Sequence, residues 1–204
     1  ELISSSLAID QNFPAIRGAG ADKVIGFAGD DRLSSTLRNV RYEDAYRELR
    51  GERAYNVLLI DGAILQFLYK FEGGLLTKHR LAFFPSPDLL EFQNNSEIYD
   101  ADEIYGDVVD KGVVTSPIRF DFDRENFIEL EHPMSHMTIG QYKNCRIPVT
   151  GALSPAQFGE FVLRSFYNTG FRKFLADCDF GDNSFSPTIA DNERKICHFS
   201  LKSK

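Results

Sequence analysis

The pattern of apolar and polar residues is most regular between residues 55 and 84, where it predicts three consecutive β-strands separated by short turns. The predicted strands are Tyr55–Ile60, Ala63–Phe71 and Leu76–Phe84, and the predicted turns are Asp61-Gly62 and Glu72-Gly73-Gly74. Asp-Gly between two strands is typical of a type I′ turn, in which both central residues have positive φ. Strands joined by such short turns favour an antiparallel meander.

A second regular segment has the sequence I-R-F-D-F-D at residues 118–123, and it alternates without interruption. Because successive side chains of a strand point to opposite faces, its apolar and aromatic residues share one face. Arg119, Asp121 and Asp123 share the other face. We therefore predict a strand at Ile118–Asp123 that separates an apolar face from a charged face.

Helical spacing is clearest in two segments. Arg41–Glu52 carries apolar or aromatic residues at helical offsets and predicts a helix. A second helix is predicted after Ser154, because Ser154 can cap it, Pro155 suits its first position and Gln157 completes a capping box. We expect Thr169-Gly170 to end this helix. The remaining segments predict a short helix within Ser5–Arg17 and strands at Val24–Phe27, Met134–Tyr142, Cys145–Val149 and Ile196–Leu201.

These elements together predict an α+β fold, in which a mainly antiparallel sheet of about five to seven strands has its helices packed on one face. The chain of 204 residues is the length of a single domain. We divide it into a mainly helical N-terminal part at 1–53, the sheet at 55–149 with an acidic surface excursion at 88–116, and a C-terminal helix and tail at 154–204.

The net charge of −7 comes from 23 Lys and Arg against 30 Asp and Glu, and it is unevenly distributed. Residues 1–84 have net charge 0, residues 85–131 have −10, and residues 132–204 have +3. A locally basic surface is therefore compatible with the acidic total, and nucleic acid stays a candidate partner. The acidic segment 88–116 is a candidate docking surface for a protein partner.

Several classes of protein are excluded or disfavoured by the sequence. No apolar run approaches the ~20 residues of a membrane span, and the N-terminus has no secretion signal, so we expect no membrane partner. The three cysteines form no CxxC pair and no disulfide framework, which favours a reducing, cytoplasmic setting. No glycine-rich phosphate-binding motif is present.

Six segments occur in an order that matches one protein family. They are L-L-I-D-G-A-I-L-Q-F at 58–67, K-H-R-L-A-F-F-P-S-P at 78–87, I-R-F-D-F-D at 118–123, H-P-M-S-H-M-T-I-G at 132–140, C-R-I-P-V at 145–149 and S-P-A-Q-F-G-E-F-V at 154–162. With them the chain resembles a bacterial family known as domain of unknown function 2290. The resemblance implies a bacterial or phage-related source, and it supplies no activity and no catalytic residues.

The charged face of the strand at 118–123 is the best candidate for chemistry. Asp121 and Asp123 lie about 6.7 Å apart along the strand, a spacing that fits ligands of a divalent metal, so a divalent metal is a candidate cofactor. The alternative interpretation is structural, since a half-buried strand turns its polar residues outward and Arg119 can neutralise Asp121.

His132 and His136 are candidates for acid–base catalysis together with Arg119, Asp121 and Asp123. In an extended strand the Cα atoms of the two histidines would lie about 13 Å apart, too far to share one ion directly. If Pro133 instead begins the strand and His132 lies in the preceding loop, a bend could bring the two together. Two imidazoles beside an arginine can cleave a phosphodiester without a metal, as one takes a proton and the other gives one. The alternative is that both histidines make structural hydrogen bonds.

Arg80 and Arg146 are candidate substrate-binding residues, because a guanidinium can bind a phosphate through two parallel hydrogen bonds. Tyr69 and Tyr142 could stack on bases, although a tyrosine at a strand edge is more often structural. We therefore predict a nucleic-acid- or nucleotide-processing effector of the phosphodiesterase type. The alternative is a non-catalytic subunit of a bacterial complex that docks through its acidic segment.

Overall fold

Nine strands form one antiparallel sheet among the residues that the computed structural model describes, which are 2–3, 7–30, 40–88, 116–178 and 184–201. The strands are β1 Ala8–Gln11, β2 Ala15–Ala19, β3 Asp22–Gly26, β4 Val57–Leu59, β5 Ile64–Glu72, β6 Leu75–Phe84, β7 Ile118–Asp123, β8 Ser135–Ile139 and β9 Ile147–Pro148. Their order is β1-β4-β5-β6-β7-β8-β9, while β3 pairs with the far end of β5 and β2 pairs with β3. The predicted α+β fold and the antiparallel meander are confirmed, but the sheet has nine strands instead of the expected five to seven, and the helices do not all pack on one face as expected.

Three α-helices accompany the sheet in the described part of the chain: α1 Tyr42–Gly51, α2 Pro155–Phe166 and α3 Asn168–Phe174. The start of α2 agrees with its prediction. The Ser154 hydroxyl accepts from the backbone N–H of Gln157 at 3.2 Å, and the Gln157 side chain accepts from the backbone N–H of Ser154 at 2.9 Å. This capping box satisfies two backbone donors that the helix itself leaves without partners.

The main hydrophobic core lies between the sheet and the two C-terminal helices. Phe158 of α2 is fully buried and packs edge-to-face against Phe67 of β5 at 5.6 Å and Phe120 of β7 at 5.9 Å between ring centroids. Edge-to-face pairs of this kind add to the free energy gained by burying the rings. The aromatic residues of the alternating strands therefore hold α2 on one face of the sheet.

A second, smaller core lies under α1. Tyr46 and Leu49 of this helix pack with Leu58 of β4 and Ile64 of β5, and these strand residues alternate with residues of the main core. Because neighbouring residues of a strand point to opposite faces, α1 covers one end of the face opposite to α2. The rest of that opposite face carries the charged residues of β6, β7 and β8.

The turns of the meander differ from their predictions in one respect. Gly62 has φ of +86°, but Asp61 does not have positive φ, and the backbone N–H of Gly62 donates to Leu59. The first connection is therefore a three-residue loop in which glycine follows a tight turn. Gly73 and Gly74 have φ of +57° and +79° between paired Glu72 and Leu75, so the type I′ geometry occurs there instead.

The prediction of a mainly helical N-terminal part was wrong. Residues 8–11 form β1, which pairs with β4, and residues 15–26 form the β2–β3 hairpin around Gly20. Gly20 has φ of +58°, which suits the first central position of a two-residue hairpin turn. Pro14 interrupts any helix there, and pairing with β4 and β5, which are distant in sequence, stabilises the strands instead.

The C-terminal predictions need two corrections. Thr169-Gly170 does not end α2, because that helix ends at Phe166 and α3 continues through these residues. Residues 196–201 form no strand, and only Phe199 makes an isolated parallel bridge, to Val149. Of the predicted acidic excursion at 88–116, residues 89–115 lie outside the described residues. No helix in the described part of the chain is long and apolar enough to cross a membrane.

We expect Phe158→Ala to lower the free energy of unfolding by about 3–5 kcal/mol, because it removes the ring that joins α2 to β5 and β7. Urea unfolding followed by circular dichroism measures this loss. The matched control is Glu160→Ala, which removes only a partly exposed pair with Arg164 in the same helix. A loss no larger than that of the control would contradict this packing.

Candidate functional site

A row of charged residues crosses the open part of the sheet from β6 to β8. The strand register places Arg80 opposite Asp121 and places Asp121 opposite His136. Arg119 lies on the same face two residues before Asp121, as the alternation of β7 predicts. Three neighbouring strands thus bring four of the predicted site residues together.

Asp121 is the centre of this row. Its carboxylate accepts a hydrogen bond from Nε of Arg80 at 3.1 Å and from Nε of Arg119 at 2.5 Å. Burial by itself would raise the pKa of Asp121, but the charges of Arg119 and Arg80 outweigh burial and hold the pKa below its usual value. Asp121 is therefore ionised at neutral pH, and it fixes the two guanidinium groups.

His136 is buried beside this ion pair. Its Nδ1 lies 2.9 Å from the carbonyl oxygen of Pro133, and its Nε2 lies 3.9 Å from the Asp121 carboxylate. The contact with a carbonyl requires a proton on Nδ1, which leaves Nε2 as the free nitrogen of the neutral ring. Burial lowers the pKa of His136, and this effect outweighs the opposite influence of Asp121.

The two histidines are close together in space. The ring centroids of His132 and His136 are 4.9 Å apart, with an angle of 67° between the rings. His132 forms a tight bridge with Ile128, and the chain bends at Met134, directly before β8 begins. An extended strand would have separated the rings, so the bend is what brings this pair together. Nδ1 of His132 is buried and has no hydrogen-bond partner within the described residues.

Asp123 makes its contacts with residues outside this cluster. Its carboxylate accepts from Nζ of Lys78 at 3.0 Å and from Nδ2 of Asn126 at 2.9 Å, and it also accepts from backbone N–H groups of the loop after β7. Burial opposes ionisation, but these hydrogen bonds and Lys78 hold the pKa of Asp123 below its usual value. The contacts give Asp123 a structural role in the loop.

The expected metal site gains no support from these contacts. Both Asp121 and Asp123 are paired with basic side chains. Within the described ranges, no three His, Cys, Asp or Glu residues form a group that could hold a metal ion. Metal binding by these two residues stays a prediction.

Arg146 adds a further positive charge on the side of β9. It is close enough for its charge to lower the pKa of His136, and it makes no ion pair within the described part of the chain. Arg80, Arg119 and Arg146 thus provide three guanidinium groups against the single carboxylate of Asp121. The site as a whole therefore carries more positive than negative charge, although the chain is acidic.

A family model whose description is "Uncharacterized conserved protein (DUF2290)" matches residues 7–201, which is nearly the whole described chain. The chain belongs to the DUF2290 family. A search of curated proteins and a search of solved structures found no match. Membership in DUF2290 confirms the resemblance carried by the six sequence segments, and it establishes no activity.

The DUF2290 site has a buried histidine behind it that the sequence did not single out as part of a site. His79 lies on the core face of β6, where its Nε2 accepts from the backbone N–H of Leu153 at 3.2 Å and its ring stacks on Phe122. Complete burial lowers the pKa of His79 to about 4. The ring is therefore neutral at pH 7 and supports the strand that carries Arg80.

We expect this DUF2290 protein to lose stability as the pH falls from about 6.5 towards 4. In that range the unfolded chain binds a proton at His79 and the folded chain does not, so protonation favours unfolding by up to about 3 kcal/mol. Urea midpoints at pH 7.5 and pH 5 measure the effect. His79→Gln keeps an acceptor for the backbone N–H of Leu153 and should reduce the change in the urea midpoint between the two pH values. An unchanged difference in this variant would contradict the assignment to His79.

The influence of Asp121 on His136 gives a second expectation for the DUF2290 site. Asp121 raises the pKa of His136 against the effect of burial, so Asp121→Asn should lower that pKa further. The ring protons of His136 report this pKa in an NMR titration. Asp123→Asn is the matched control, because Asp123 contacts Lys78 and Asn126 instead. Equal shifts in both variants would argue against a direct effect of Asp121.

Proposed function

We propose that this protein cleaves phosphodiester bonds in a nucleic acid or nucleotide, with His132 and His136 as its acid–base pair. The observation that carries the proposal is the 4.9 Å contact between the two imidazoles, next to the ion pairs of Arg80 and Arg119 with Asp121. Phosphodiester cleavage needs one group that takes a proton, one that gives a proton, and positive charge around the phosphate.

The two histidines have different surroundings, and this suggests different roles. Burial lowers the pKa of His136, so it is neutral at pH 7 and its Nε2 can accept a proton. His132 is half-buried and lies nearer to the solvent, which suits a group that gives a proton to the departing oxygen. Asp121 would then stabilise the imidazolium that forms on His136.

The arginines provide the binding site for the phosphate. Arg80 and Arg119 contact Asp121 through Nε, and within the described residues the terminal nitrogens of each guanidinium make no hydrogen bond, which leaves them for an anionic ligand. Their side chains are 41% and 40% exposed, which is enough for contact with a ligand. Guanidinium groups that Asp121 already holds in place lose less conformational entropy when the phosphate binds.

Incubation of the full-length protein with single-stranded RNA, single-stranded DNA and cyclic dinucleotides tests the proposal. We expect turnover of at least one substrate, with kcat lowered about 100- to 10,000-fold in His136→Ala and in His132→Ala. Arg119→Gln should chiefly weaken binding. The acidic limb of the pH–rate profile should lie below pH 6.5, because the proposed base is a buried histidine.

His198→Ala and Arg164→Gln are the matched controls, since the ring of His198 is exposed and hydrogen-bonds to Ile196 in the C-terminal segment and Arg164 pairs with Glu160 on α2. Both variants should keep full activity. The absence of turnover with every phosphodiester would refute the proposal. Turnover that His136→Ala leaves unchanged would refute the assigned site.

A further inference from the structure

A pocket lies at the end of the charged face, beside the start of α1. It has a volume of about 340 Å³, and its lining is Tyr42, Ser116, Pro117, Gly140, Gln141 and Tyr142. Pockets for small ligands begin at about 300 Å³, so there is room for a flat aromatic ring. The lining offers two tyrosine rings together with the hydroxyl of Ser116 and the amide of Gln141.

The ring of Tyr142 is exposed to solvent and lies close to Gly140. Tyr142 is 77% exposed, and its ring lies beside the backbone of Gly140. A Cβ at Gly140 would lie 3.3 Å from the Tyr142 ring and 3.0 Å from Oγ of Ser116, and φ at Gly140 is +68°. Glycine at this position thus permits the close approach of the ring at the mouth of the pocket.

The pocket and the histidines lie on one face of the same two strands. Pro117 precedes Asp121 by four residues on the β7 side, and Gly140 follows His136 by four residues on the β8 side. Tyr42 in the pocket lining belongs to α1, which packs on the face that carries the charged row, and four residues of strand span about 13 Å. Arg119 lies between the two ends, so a positive charge connects the pocket to the candidate site.

We propose that the substrate is single-stranded RNA, with a base stacked on Tyr142 in the pocket and a phosphate of the same strand held by Arg119 and Arg80 beside the histidines. This inference rests on the proposed phosphodiesterase function. Single-stranded RNA presents unstacked bases that proteins bind on aromatic side chains, and its backbone follows a positively charged groove. The pocket, the arginine and the histidine pair occur in the order that such a strand requires.

The chemistry of two imidazoles favours RNA over DNA. RNA carries its own nucleophile, the 2′-hydroxyl next to the phosphorus, and intramolecular attack gains effective molarities of roughly 10⁵–10⁸ M. His136 removes the proton of that hydroxyl, its oxygen bonds to phosphorus, the bond from phosphorus to the 5′-oxygen breaks, and His132 protonates the departing oxygen. The products are a 2′,3′-cyclic phosphate and a 5′-hydroxyl, and no further reactant is consumed.

Binding and cleavage can be measured separately with three fluorescein-labelled strands of one sequence: RNA, 2′-O-methyl RNA and DNA. Anisotropy of the 2′-O-methyl strand reports binding without turnover, and gel analysis of the RNA reports cleavage. We expect Tyr142→Ala to weaken binding about 5- to 100-fold and Tyr142→Phe to retain it, because stacking needs the ring and not the hydroxyl. Only RNA should be cleaved, and it should yield the cyclic phosphate.

Phe13→Ala is the matched control, since Phe13 is an aromatic residue with 86% exposure in the loop between β1 and β2. It should leave binding unchanged. Equal binding by Tyr142→Ala and the wild type, or no binding of any strand, would overturn the base pocket. Cleavage of DNA or of 2′-O-methyl RNA as fast as RNA would overturn the RNA assignment and leave the phosphodiesterase proposal standing. Binding that depends on Tyr142 but is not followed by cleavage would refute the phosphodiesterase proposal and support the base-binding pocket.

Discussion

Strand β7 alternates without interruption, and its pleat sends Phe120 and Phe122 into the core and Arg119 and Asp121 to the opposite face. A shift of one residue in its pairing with β6 would exchange the two sets, which would bury charges under α2 and expose the rings. The free energy of aromatic packing therefore also fixes the positions of the charges. Packing of Phe158 on Phe120 and ion pairing of Asp121 depend on the same register.

Local signals made some elements readable from the sequence and left others hidden. β7 and the capping box of α2 were predicted at the residues where they occur, because alternation and capping depend on neighbours in sequence. β1 and β2 were missed, since both are short; β1 pairs with β4, far along the chain, and β2 pairs only with β3, whose other partner is the distant β5. Pairing between distant strands leaves no local periodicity in the sequence. The hairpin turn at Gly20 was not recognised, because no strand was predicted before it.

The candidate site was predicted in part for a similar reason. Arg119 and Asp121 followed from alternation, but the contact between His132 and His136 depends on a bend at Met134 that spacing alone does not specify. Arg80 lies beside Asp121 because β6 pairs with β7 in a register that the sequence alone does not predict. Asp123 lies on the predicted face of β7, but its partners are Lys78 and Asn126 and not the histidines.

A contribution to stability does not by itself explain why this face is charged. Removing Asp121 from water has a free-energy cost, and buried ion pairs can often be replaced by apolar residues of similar volume without loss of stability. The chain instead places a carboxylate between two guanidinium groups and beside an imidazole. Each group then restricts the orientation and the charge of the next, so the positive ends that face the solvent are already in place before a ligand arrives. Groups that are fixed in advance stabilise developing negative charge better than mobile ones, because they need not reorganise during the reaction. This advantage belongs to a site that binds or transforms an anion, and a purely structural sheet face would not need it.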